Sequence, residues 1–164
     1  MTMELAALLD PSLVLIDMEA RDAAEAIACL GELLFRRGYV DEHFVAAALA
    51  RETKFPTGLA TQGIPIALPH AETEYVRVSR VAIGILRQAV PFRRMDNPES
   101  LVEAKAVFML AISDPNTQVM ALQQLAELFQ DGMTLTQVAA ARSQEQVLQA
   151  VLEGLRRLEA KSIQ

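Results

Sequence analysis

Ala106-Val107-Phe108-Met109-Leu110-Ala111-Ile112 is apolar at every position and is stopped by Ser113-Asp114-Pro115. A half-exposed strand alternates polar with apolar side chains, whereas a strand covered on both faces does not. This run is therefore read as the middle strand of a sheet with helices on both sides. The expected fold class is α/β, a β-sheet flanked by helices on both sides.

Upstream, Arg80-Val81-Ala82-Ile83-Gly84-Ile85-Leu86-Arg87 reads as another strand, with Val90-Pro91-Phe92 as a short edge piece beside it and Arg93 to Ser100 as a long loop. Further back lies Gly63-Ile64-Pro65-Ile66-Ala67-Leu68-Pro69-His70-Ala71-Glu72. Its apolar core is too short for a typical helix and reads as a buried strand ending at Pro69. His70 is then the first residue beyond a rigid element, where a reactive side chain is both fixed and presented. Lys54 to Gly63, with a proline and two glycines, reads as a loop. Leu13-Val14-Leu15-Ile16 is either a first strand or an extended segment.

The remaining periodicity is helical. Ala23, Ile27, Leu30 and Leu34 predict a helix from about Ala20 to Arg37, capped by Asp17 and closed by Gly38. Asp41 offers a cap for a second helix that ends near Arg51 to Thr53, with His43 exposed in its first turn. Val119, Leu122, Ala126 and Phe129 mark a third helix, with Gln118 at the N-terminal edge of its inward face. A short helix spans Leu135 to Ala141. Ser143-Gln144-Glu145-Gln146 is a capping box for a last helix whose Val147, Leu148, Val151, Leu152, Leu155 and Leu158 face the core before a polar tail. No repeat, linker or low-complexity tract divides the 164 residues, so a single domain over 1–164 is expected.

Composition narrows the function. Fifteen basic against 21 acidic residues give a net charge of −6, which argues against nucleic acid or an anionic membrane as partner. Cys29 is the single cysteine, so neither a disulfide nor a cysteine-based metal cage is available, and a reducing compartment is expected. Met1-Thr2-Met3-Glu4-Leu5 lacks a basic leader region and no apolar run reaches membrane-spanning length, so the reading is cytoplasmic with no membrane insertion. There is no glycine-rich phosphate loop, no Gly-x-Ser-x-Gly and no His-Glu-x-x-His. His70-Ala71-Glu72 matches half of a zinc deaminase signature, but its Pro-Cys-x-x-Cys half is absent. Neither metal nor cofactor is expected. For His70 this leaves nucleophilic or acid–base work, and neutral imidazole is a competent nucleophile toward phosphorus. Arg51 is a candidate for the positive charge that a phosphoryl group needs beside it.

Arg51-Glu52-Thr53-Lys54-Phe55-Pro56-Thr57-Gly58-Leu59, followed by Gly63-Ile64-Pro65-Ile66-Ala67-Leu68-Pro69-His70, resembles the signature of the IIA components of the bacterial phosphoenolpyruvate-dependent sugar phosphotransferase system, fructose–mannitol superfamily. The resemblance covers roughly residues 10–155 and implies a mixed β-sheet flanked by helices. The Phe-Pro-Thr-Gly variant is most similar to the galactitol-specific branch. Many fructose- and mannitol-type members carry a second active-site histidine where this chain has Gln118, and galactitol-type members are similar in carrying glutamine.

The resemblance implies that His70, through Nε2, accepts a phosphoryl group from the phosphohistidine of the carrier protein HPr. It then passes the group to a cysteine of the cognate IIB, which serves a membrane IIC permease. Arg51 matches the arginine beside the phosphate, Thr57 and Gly58 match the loop that closes beside it, and Gln118 holds the place of the second histidine. Ala71, Leu59 and Met95 are candidates for an apolar docking rim. The alternative within the superfamily is a regulatory nitrogen-type IIA paralogue that acts by phosphorylation-dependent binding of other proteins.

Overall fold

A computed structural model describes residues 5–163. Residues 1–4, read above as lacking a basic region, lie outside the described residues. Five strands form one sheet in the order β1-β4-β5-β3-β2: β1 Val14–Met18, β2 Gly58–Leu59, β3 Ile66–Ala67, β4 Arg80–Arg93 and β5 Leu101–Ala111. The sheet is mixed. β1 runs parallel to β4 and β3 parallel to β5, while the β4–β5 and β2–β3 pairs are antiparallel.

β5 is central, as its unbroken apolar pattern requires. Its side chains alternate between two cores. Ala106, Phe108 and Leu110 pack with Leu125, Phe129, Leu135, Val147 and Val151, whereas Val107, Met109 and Ala111 pack with Ile27, Leu30, Leu34 and Phe44. The first core is roofed by α3 Pro115–Leu128, α4 Gly132–Ala140 and α5 Gln144–Ile163, and the second by α1 Ala23–Arg36 and α2 Phe44–Lys54. The Phe108 and Phe129 rings meet edge-on with centroids 4.8 Å apart, a favoured aromatic geometry. No described helix is long and apolar enough to cross a membrane.

Several local expectations change. The strand at 80–87 and the edge piece at 90–92 are one strand, interrupted by a register shift between Ile85 and Val90. β5 begins at Leu101, five residues before the apolar run, and the loop before it keeps close to its expected bounds. The strand leading to His70 contracts to Ile66–Ala67, and the expected loop before it contains β2. The cap of α1 is Asp22, whose carboxylate accepts from Glu25 N–H at 2.8 Å, while Asp17 remains in β1 at φ +58°. Gly38 does take the left-handed conformation beyond α1, at φ +80°. Asp41 lies two residues too early to cap α2: it holds the N–H of His43, and the exposed His43 is the N-cap residue.

The inward stripe of α3 is Ala121, Leu125 and Leu128, which leaves Val119 and Ala126 in solvent. The helix starts earlier than expected because Asp114 caps it and Pro115 occupies its first turn. At α5, Ser143 Oγ accepts from Gln146 N–H at 3.1 Å, as the capping box requires. The polar tail continues this helix to Ile163.

Candidate functional site

Pro69 cannot donate a backbone hydrogen bond, so the ladder beyond β3 continues only through its carbonyl. That carbonyl accepts from Leu110 N–H at 3.1 Å, and His70 makes a parallel bridge to Leu110. The histidine is thereby clamped against the central strand and is only 7% exposed. Its Nδ1 lies 2.8 Å from the Leu68 carbonyl oxygen. A carbonyl accepts only, so Nδ1 carries the proton and Nε2 keeps its lone pair. Burial holds the pKa of His70 below the usual 6.5; the Leu68 carbonyl opposes this, Arg51 lowers it further and Glu72 raises it. At neutral pH the ring is uncharged, with its lone pair on Nε2.

Arg51 ends up near His70 because α2 stops just before the chain turns into β2. Its Nη1 lies 3.6 Å from Glu72 Oε1, and its guanidinium carbon sits 5.2 Å from the Phe55 ring centroid. The Arg51 Nε is buried with no hydrogen-bond partner. An unpaired buried donor is costly, and this one belongs to a cation adjoining a nucleophile. Sequence reading gave Glu72 no role. Only the fold brings its carboxylate to Arg51.

Thr57 is buried, and its position is fixed by a residue that sequence reading passed over. Glu52 accepts from Thr57 N–H through Oε2 at 2.8 Å and from Thr57 Oγ1–H through Oε1 at 2.9 Å. Burial raises the Glu52 pKa, and the two Thr57 donors oppose that rise. The Thr57 hydroxyl in turn accepts from Leu68 N–H at 3.1 Å. Gly58 pairs with Ala67 in the sheet. A Cβ at Gly58 would sit 2.6 Å from the Arg93 carbonyl oxygen and 2.9 Å from Val102 Cγ2, so the approach of the β4–β5 hairpin demands glycine there. Met95, exposed beside this strand, donates its N–H to the Gly58 carbonyl at 2.8 Å.

Gln118 stands in the first turn of α3, with Oε1 buried and unpartnered. It makes no hydrogen bond to His70. The structure thus brings together His70, Arg51, Thr57 and Gly58, adds Glu52 and Glu72, and leaves Gln118 unjoined to them by any hydrogen bond. Among the described residues no group of three or more His, Cys, Asp or Glu side chains is arranged to hold a metal ion. Cys29 is partly buried and its thiol pKa is pushed up, chiefly by desolvation, which makes it a poor nucleophile.

The fold and this histidine site define a class. Residues 7–154 match the model of the family described as phosphoenolpyruvate-dependent sugar phosphotransferase system, EIIA 2, and the chain belongs to that family. It is 34% identical over 118 residues to the transcriptional regulator ManR of Bacillus subtilis strain 168, covering 72% of this chain and 16% of that protein. It is 28% identical over 104 residues to the galactitol-specific EIIA component of Escherichia coli K12, covering 63% of this chain and 69% of that protein. Among solved structures it is similar to enzyme IIA Mtl in its complex with phosphorylated enzyme IIB Mtl from Escherichia coli. That similarity has a TM-score of 0.72 at 25% identity and covers 89% of this chain and 99% of that one.

Proposed function

We propose that the chain acts over residues 1–164 as a single IIA phosphocarrier domain in the cytoplasm. In this reading it takes a phosphoryl group from phospho-HPr onto His70 and delivers it to a cysteine of a cognate IIB, in the uptake of a galactitol-like sugar or polyol through a IIC permease. The observation that carries this reading is the Nδ1–Leu68 hydrogen bond, which leaves the Nε2 lone pair free. The Phe-Pro-Thr-Gly loop, Gln118 and the galactitol-specific relative support the branch.

Nε2 attacks phosphorus, and the bond from phosphorus to the donor histidine breaks with its electron pair returning to the donor ring. The His70 ring becomes a phosphoimidazolium, whose Nδ1–H stays on the Leu68 carbonyl. Arg51, with its unpaired Nε, is placed to hold the equatorial oxygens. An incoming cysteine thiolate then attacks phosphorus and the N–P electron pair returns to Nε2. With a single arginine and no metal, the site holds the group without trapping it. Thr57 and Gly58 shape the rim, and the Gln118 amide is available to a phosphoryl oxygen from the start of α3.

Incubation with phosphoenolpyruvate, enzyme I and HPr tests this reading. The wild-type chain is expected to take up acid-labile phosphate and His70→Ala none; an unlabelled wild type or a labelled alanine variant overturns it. Identity to a segment of a transcriptional regulator favours a second reading, a regulatory IIA that binds other proteins according to its phosphorylation state. Transfer from the phosphorylated chain to a IIB cysteine distinguishes the two: the transport reading requires it and the regulatory one does not.

A further inference from the structure

Three links of one hydrogen-bond chain run from a half-buried carboxylate to the His70 ring, and the direction of each is forced. The ionised Glu52 carboxylate only accepts, so both Thr57 N–H and Thr57 Oγ1–H donate to it. The hydroxyl has then spent its one hydrogen, and its oxygen is left to accept from Leu68 N–H at 3.1 Å. Leu68 N–H also approaches the Thr57 carbonyl at 3.3 Å, so this backbone N–H is fastened to Thr57 twice. The Leu68 carbonyl accepts from His70 Nδ1–H at 2.8 Å.

We propose that Glu52 is a positioning residue for His70, acting through Thr57 and the Leu68 backbone to hold the imidazole in the tautomer whose Nε2 is free. This rests on the reading of His70 as phosphoryl acceptor and assigns the site its supporting shell. The charges that act on His70 come from Arg51 and Glu72. Glu52 reaches the ring through oriented hydrogen bonds. Neighbours on α2, Arg51 and Glu52 point to different partners, the first to Glu72 and the second to Thr57. A two-residue β3 supplies few ladder bonds of its own, so the Leu68 peptide needs this side-chain anchor to hold its carbonyl at a fixed angle to the ring. Replacing one carboxylate oxygen by an amide N–H₂ turns a donor toward Thr57, and either Thr57 N–H or its hydroxyl hydrogen loses its acceptor in a buried position.

The test uses the full chain, with ¹⁵N-labelled histidine and long-range imidazole NMR spectra recorded above pH 7. Wild-type His70 is expected as one tautomer, protonated at Nδ1. Glu52→Gln should give a substantial population protonated at Nε2 and lower the rate of HPr-dependent phosphorylation by about tenfold or more. Thr57→Val should do the same, and Thr57→Ser, which keeps the hydroxyl, should restore both readouts. A role confined to stability lowers the melting temperature but leaves the tautomer of the folded protein unchanged. A folded Glu52→Gln or Thr57→Val chain with the wild-type tautomer and rate overturns the proposal, and the threonine pair decides it if Glu52→Gln fails to fold. The tautomer readout needs no phosphoryl donor. A wild type that is never phosphorylated removes the functional reading, while the spectra still decide whether Glu52 positions His70.

Discussion

The β4–β5 hairpin and the β2–β3 edge belong to one sheet but are held by different forces. The hairpin strands are 14 and 11 residues long, and β5 is buried on both faces from Ala106 onward. Apolar burial is non-directional and tolerates local change as long as volume is kept. β2 and β3 have two residues each, and their place depends on the Glu52–Thr57–Leu68 hydrogen bonds and on the missing side chain of Gly58. Directional bonds and a close backbone approach fix position finely but leave little reserve. The hairpin therefore supplies stability, and β2 and β3 supply the precision that the proposed phosphoryl acceptor needs.

That contrast breaks first, if it is wrong, at Phe108. Phe108→Ala empties the centre of one core and should cost about 3–5 kcal/mol in a denaturant titration, while His70 in the folded fraction keeps its Nδ1-protonated form. A loss below about 1 kcal/mol would mean that the hairpin is not the main source of stability. At the edge, Gly58→Ala drives a Cβ against the Arg93 carbonyl, 2.6 Å away. It should destabilise by about 1–3 kcal/mol and also disturb the His70 spectrum, which Phe108→Ala should not.

Arg51→Ala should leave the melting temperature close to wild type and slow phosphoryl uptake by about 10- to 100-fold, equivalent to about 1.4–2.7 kcal/mol. An unchanged rate removes Arg51 from the site. The smallest effect is in pH. Because burial holds His70 below 6.5, its uptake rate should stay level as pH falls through that value and decline only at lower pH. The unfolded ring takes up its proton first, so the His70 contribution to stability is complete above 6.5 and is lost as pH falls toward the folded value. A rate that halves near 6.5 would show a ring more open to water than this site.

Some of this was legible in the chain and some was not, for reasons visible residue by residue. β5 announced itself because seven apolar residues in a row suit only a strand covered on both faces. Cap choice was less legible: Asp17 and Asp22 both precede the helix, and only the backbone path shows that Asp22 reaches Glu25 N–H. Val119 looked like a core residue because two stripes of α3 have similar spacing, and packing against the sheet selected Ala121, Leu125 and Leu128. β2 was hidden in a glycine- and proline-containing stretch with no periodicity. Glu52 and Glu72 stood inside quoted segments without a role of their own, since each acquires its partner only through a turn.

By itself the sequence determined the α/β architecture, β5 as its middle strand and the order Arg51, Thr57-Gly58, His70. Those features follow from local polarity, spacing and chain stiffness. The tertiary structure supplied the reason that Nε2 of His70 is free, and it alone decided that Glu72 faces Arg51 and that Glu52 steadies Thr57. Hydrogen-bond direction and the burial that shifts a pKa depend on which groups meet across the fold, and residue spacing along the chain does not contain that information.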